Sequence, residues 1–171
     1  MADINMQRRA FFKGKSPAKN NEQLWPPWII SPSIAYANCE RCQECIIACP
    51  TKIIIHGDGQ FPAIDFSQGE CTLCGACADA CYENIFIPES ERNTRNAWSL
   101  NVDIKANCLS MNRVMCRSCG DNCEASAIHF RLEVGGVSKP IVDSKRCTGC
   151  GACAYSCPTQ SINIMRIQSA N

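Results

Sequence analysis

All sixteen cysteines of this 171-residue chain fall into four groups of four, and none is left over. The first group, CERCQECIIACP, holds Cys39, Cys42, Cys45 and Cys49. The second, CTLCGACADACY, holds Cys71, Cys74, Cys77 and Cys81, and the fourth, CTGCGACAYSCP, holds Cys147, Cys150, Cys153 and Cys157. Each reads C-x2-C-x2-C-x3-C. The third group, CLSMNRVMCRSCGDNC, places seven residues between Cys108 and Cys116, and continues with Cys119 and Cys123. A cysteine content this high means a disulfide scaffold, a set of metal sites or scattered buried thiols. Tight, repeated spacing selects metal sites, because disulfide frameworks have irregular intervals.

Zinc prefers two separated C-x2-C knuckles around one tetrahedral ion, often with histidine. Here the only histidines, His56 and His129, lie outside the groups. Disulfides between cysteines two residues apart bridge poorly, because their geometry is demanding. The spacing resembles instead the bacterial ferredoxin signature for [4Fe–4S] clusters. Three cysteines at two-residue gaps let one loop wrap three corners of a cubane. The fourth then points to the cluster of a partner motif, so the motifs work in pairs. The expectation is four [4Fe–4S] clusters held by all sixteen thiolates.

The flanks repeat as well. A short apolar run follows each fourth cysteine (PTKIII, YENIFI, EASAIHF, PTQSINI) and another precedes each first cysteine (SPSIAYAN, FPAIDFSQGE, WSLNVDIKAN, KPIVDSKR). Short runs rich in β-branched residues predict strands, giving a unit of strand, cysteine loop, short helix and strand. Hairpins are expected at Asp58–Gly59 and Gly135–Gly136. The gap from Cys81 to Cys108 is the longest and carries the polar run PESERNTRN. That asymmetry predicts a small, loop-rich α+β chain of two tandem 2[4Fe–4S] ferredoxin-like modules. Their bounds are residues 34–90 and 91–171, preceded by a basic, Pro/Trp-containing arm over 1–33. Tandem pairing groups Cys39, Cys42, Cys45 with Cys81; Cys71, Cys74, Cys77 with Cys49; Cys108, Cys116, Cys119 with Cys157; and Cys147, Cys150, Cys153 with Cys123. A nested alternative pairs the first motif with the fourth and the second with the third.

Modules of under about 80 residues bury little apolar surface, so the clusters are expected to serve as the core. Sixteen thiolates and four oxidised 2+ cores would turn the formal charge of +1 into about −7, which suits docking to a basic partner surface. Gly75, Ala76, Gly149, Gly151 and Ala152 fit backbone pressed against a cluster. Tyr36, Tyr82 and Tyr155 are expected to pack against clusters, and His56 and His129 to be ordinary strand residues. LWPPWII cannot be a helix, because Pro26 and Pro27 break it; it reads as an arm packed on the first module or as a docking element. No catalytic triad, phosphate loop, flavin fingerprint or carboxylate pair accompanies the motifs, so an enzyme is not expected. Nor is a nucleic-acid partner or a membrane span.

Arg8 and Arg9, the PPW ahead of the first motif, the order of three regular motifs around a C-x7-C-x2-C-x3-C third motif, and the ending CTGCGACAYSCPTQSI resemble the NapF family. These are ferredoxin-type accessory proteins of the periplasmic nitrate reductase system. The resemblance implies a cytoplasmic protein that contacts the precursor of the catalytic nitrate reductase subunit before export and aids its maturation, by supplying or redox-conditioning its cluster. The spacing by itself equally fits a polyferredoxin that takes single electrons from a donor and passes them on. MQRRAFFKGK, residues 6–15, resembles part of a twin-arginine export signal, but GKSPAKNNEQ follows it instead of an apolar segment. The expectation is a protein retained in the cytoplasm.

Overall fold

The computed structural model describes residues 23–167; Arg8, Arg9 and most of the basic arm lie outside them. Each cysteine motif carries a short helix over its third cysteine: α2 (Glu44–Ala48), α3 (Ala76–Asp79), α4 (Ser118–Asp121) and α5 (Ala152–Tyr155). Helices of four or five residues are too short to persist alone in water, so they depend on what surrounds the cysteines. Between paired motifs run two antiparallel hairpins. Strand β1 (Ile54–His56) pairs with β2 (Pro62–Ile64), with Ile54 opposite Ile64. Strand β4 (Ile128–Glu133) pairs with β5 (Val137–Val142), with Ile128 opposite Val142. The first hairpin turns through a 3-10 segment at Asp58–Gln60, where Gly59 takes φ 63°, and the second through Gly135 and Gly136 at φ 87° and 79°. Both turns fall where the sequence places them.

The two halves differ at their outer edges. In the second, β3 (Leu100–Ile104) pairs with β6 (Ile162–Arg166), which joins the run before the third motif to the run after the fourth. The strand expected over SPSIAYAN does not form. Helix α1 (Pro32–Asn38) stands there, started by Ser31, whose hydroxyl accepts from the Ile34 N–H, and by Pro32 in the first turn. A serine cap followed by proline favours helix entry over a strand. The arm fills the vacant place: Ile29 forms an antiparallel bridge with Phe86, with Ile30 N–H donating to Ile85 O and Ile87 N–H to Trp28 O, both near 2.9 Å.

That arm is structural. Trp25 and Trp28 are each 4% exposed, and Pro26 and Pro27 are fully buried. Trp28, held at φ 64°, donates its indole N–H to Asn93 O at 2.9 Å and to Asn96 Oδ1 at 3.1 Å. The polar run between the halves is thereby tied down, and Arg92 adds an ion pair with Asp79 and an Nε–H bond to Ile87 O. Buried tryptophans cannot anchor a partner, which removes the docking reading for Trp25 and Trp28.

Three small apolar clusters make up the core. One gathers Ile53, Ile54, Ile64 and Phe66 with Cys49 and Cys77. The second joins Trp28, Ala78, Ile85, Phe86 and Ala97, and the third joins Ile128, Cys153 and Ile162. Cysteines sit in or against all three. Among the described residues, no helix is long and apolar enough to cross a membrane.

Candidate iron–sulfur sites

In the three regular motifs, left-handed residues bracket the second cysteine. Arg41 (φ 60°) and Gln43 (φ 71°) flank Cys42, Leu73 (53°) and Gly75 (81°) flank Cys74, and Gly149 (75°) and Gly151 (86°) flank Cys150. Left-handed geometry costs a non-glycine residue about 1 kcal/mol or more and concentrates at functional loops. The first motif carries it at Arg41 and Gln43 without a glycine. The third motif departs from this pattern. Arg117 after Cys116 has φ −133°, and the inserted residues form a 3-10 turn at Ser110–Asn112. That turn is fastened by Asn112 Nδ2 donating to Ala106 O and Cys108 O, at 2.7 and 2.8 Å, and by the Ser110 hydroxyl donating to Ser138 O on β5.

All sixteen thiols are free of disulfides, and they line four cavities. Cage one is lined by Cys39, Cys42, Cys45 and Cys81, and cage two by Cys71, Cys74, Cys77 and Cys49. Cage three is lined by Cys108, Cys116, Cys119 and Cys157, and cage four by Cys147, Cys150, Cys153 and Cys123. The thiols are gathered half by half, with the fourth cysteine of each motif beside the first three of its partner motif. A larger cavity of about 390 Å³ between the arm, the linker and β6 holds no cysteine.

The electrostatics disfavour bare thiolates. Burial, then the neighbouring cysteines Cys39, Cys81 and Cys42, pushes Cys45 up to about 12. Cys77 and Cys153 reach about 12 for the same reasons, and Cys119 about 11. A crowd of buried thiols suits a positively charged inorganic core, because coordination deprotonates a thiol outright. A single ion fits poorly. Zinc draws its sulfurs to about 2.3 Å from one centre, and no three Cys, His, Asp or Glu among the described residues converge closely enough to hold one metal ion. In a [4Fe–4S] cubane four thiolates hold four irons, so a wider cage is what that group needs. The donor set and its spacing fit it.

Two of the fourth cysteines behave differently. Burial acts to raise Cys49, but hydrogen bonds from the Thr51 hydroxyl and from the N–H groups of Ile53, Ile54 and Thr51 outweigh it, so the thiol lies below its ordinary value. The Thr51 hydroxyl stands 3.6 Å from Cys49 Sγ. Cys157 is lowered in the same way, against burial, by Ser161 and Thr159. The buried Ser161 hydroxyl lies 3.2 Å from its Sγ, and the Ser161 N–H donates at 3.3 Å. Cys81 is raised, chiefly by burial, and Glu83 stands two positions on, where Cys49 and Cys157 have threonine. The repeated Cys-Pro-Thr at 49–51 and 157–159 is the signal in the sequence that points to these hydroxyls, which the cysteine spacing alone does not reveal.

The tyrosines do not pack as expected. Tyr82 is 90% exposed, Tyr155 is also exposed, and Tyr36 packs edge-on against the rings of Trp25 and Phe61. For two of them the reason is local: Tyr82 and Tyr155 follow or sit between ligand-position cysteines whose side chains already turn inward, which leaves their own pointing to solvent. His56 and His129 are exposed strand residues.

The 4Fe-4S dicluster domain family matches the chain twice, over residues 38–86 and 112–161. The second match begins beyond Cys108. Among curated proteins, the chain is 43% identical to the ferredoxin-type protein NapF of Haemophilus influenzae, over 94% of each chain. It is 42% identical to NapF of Escherichia coli, over 93% of this chain and 94% of that one. The ferredoxin-type protein NapG of Escherichia coli is 30% identical over 79% of this chain. With two tandem 4Fe-4S dicluster domains and near full-length similarity to the two NapF proteins, the chain belongs to the NapF family of ferredoxin-type proteins.

Proposed function

We propose that the four cages each hold one [4Fe–4S] cluster, that residues 34–90 and 91–171 are the two modules behind an arm over 1–33, and that the protein acts in the cytoplasm as an accessory factor. Its partner is the precursor of the catalytic subunit of the periplasmic nitrate reductase, whose cluster it supplies or redox-conditions before export. The observation that carries the cluster reading is the assembly of all sixteen thiols into four four-thiol cages with crossed membership. Family membership supports the partner. Iron and sulfide analysis under anaerobic conditions tests the first part: about 16 iron per chain is expected, and zinc, or far less iron, overturns it. Pull-down of the precursor with and without its signal peptide tests the second. Normal cluster acquisition by the precursor in cells lacking this protein would sink the maturation role.

A second reading, a one-electron carrier between a donor and an oxidoreductase, is favoured by the close approach of cages within each half. Cys45 of cage one and Cys77 of cage two share one apolar cluster, and Cys119 of cage three and Cys153 of cage four share another. Strict coupling of cluster reduction to partner turnover separates it from precursor binding that ignores redox state.

The hydroxyls on Cys49 and Cys157 tune the sites they belong to. A hydrogen bond to a coordinating sulfur favours the more negative, reduced form. Replacing Thr51 by Val is therefore expected to lower the midpoint potential of cage two, and replacing Ser161 by Ala that of cage three. A difference of about 0.5–1.5 kcal/mol per bond corresponds to a shift of roughly 20–60 mV for one electron. Potentiometric titration followed by electron paramagnetic resonance measures it, and an unchanged or raised potential contradicts the assignment.

A further inference from the structure

The two halves meet at a seam that the cysteine motifs do not announce. The Cys71 N–H of cage two donates to the Cys150 carbonyl of cage four at 2.8 Å. Beside that bond the Phe66 ring lies on Gly151. A Cβ built on Gly151 would stand 2.0 Å from Phe66 Cδ1, and the residue takes φ +86°, where side chains are strained. Phe66 is buried and meets Trp98 edge-on at 5.9 Å, while the Trp98 indole N–H donates to Trp25 O at 2.9 Å. Leu100, Ala154 and Ile164 of the second half pack into the same apolar cluster as Phe66. Arm, linker and both halves thus close on the place where cages two and four adjoin. With Cys45 and Cys77 in one apolar cluster and Cys119 and Cys153 in another, neighbouring cages follow one another in the order one, two, four, three.

Resting on the cluster reading given above, we propose that Gly151 and Phe66 are positioning residues that dock the two modules, so that cages two and four become neighbours and four redox sites form one series with cages one and three outermost. The chemistry served is transfer of one electron: the giving site is oxidised by one unit and the accepting site reduced by one, with no bond made or broken. The reductant in the test is dithionite.

The test compares the full-length, cluster-loaded protein with its Gly151→Ala variant, after iron and sulfide analysis of each. In the dithionite-reduced wild type, magnetic interaction is expected across all four sites. In the variant, with iron unchanged, the part arising between modules should be lost while the pairwise part within each module stays, and small-angle scattering should show a longer particle. Full iron with an unchanged interaction spectrum and unchanged dimensions overturns the proposal. Should Gly151→Ala lose iron, Phe66→Ala opens the same seam without straining the loop of cage four and is read by the same two measurements. Iron loss in both variants also overturns it, because the contact would then hold a cage together and not dock two modules. Wild-type protein without iron would instead sink the cluster reading itself, and the electronic half of this proposal with it.

Discussion

Removal of iron and sulfide by chelation is expected to abolish most of the fold: far-UV circular dichroism of the stripped protein should approach that of an unfolded chain. The hydrophobic core cannot hold the structure alone. Among the described residues, each sheet has only two strands, and an isolated two-stranded ribbon is marginal in water. The motif helices are four or five residues long, well below the length at which helices persist unaided. Of the residues in the three core clusters, Cys49, Cys77 and Cys153 are themselves at ligand positions. Without a core, Cys77 and Cys153 sit in a crowd that opposes ionisation; with one, ligand bonds replace the missing apolar burial, and binding free energy becomes folding free energy. A native-like spectrum after complete stripping would refute this dependence.

The second large effect is at the arm. Trp28→Ala is expected to destabilise the holoprotein by about 3–5 kcal/mol, the cost typical of deleting a buried indole. The side chain is almost wholly buried among Ala78, Ile85, Phe86 and Ala97, and its N–H serves both Asn93 O and Asn96 Oδ1. Its backbone is held at φ 64° by bonds to Ala97 O and from the Ile87 N–H. Trp28→Phe keeps most of the packing and loses the N–H, so it should cost only about 1–2 kcal/mol. Anaerobic urea titration, followed by loss of the visible cluster absorbance, gives the comparison. Equal and small effects for both substitutions would mean that the arm is peripheral to stability. A large loss for Trp28→Ala with iron content intact beforehand would show that residues ahead of the first motif help hold the halves together.

Much of the architecture follows from local pattern. The cysteine intervals identify every thiol that lines a cage, because chelating loops must present sulfurs at fixed short separations. The hairpins over 54–64 and 128–142 are legible because short apolar runs meet at Asp58–Gly59 and Gly135–Gly136. Where the pattern misleads, a neighbouring signal outweighs it. SPSIAYAN has the apolar content of a strand, yet Ser31 and Pro32 begin a helix, and Ile29 of the arm takes over the pairing with Phe86. The tyrosines mislead because a cysteine loop turns its sulfurs inward and so sends Tyr82 and Tyr155 outward.

By itself the sequence determined the number and kind of donor atoms, the repeat and the turn positions, since these depend on covalent spacing and the conformational limits of glycine and proline. Only the tertiary structure decided which fourth cysteine joins which loop, which hydroxyls reach Cys49 and Cys157, and how the halves meet. Those outcomes rest on contacts between residues far apart in the chain, such as Phe66 with Gly151 and Cys71 with Cys150. No interval within a motif encodes such a contact, because it exists only once both surfaces have formed and been pressed together.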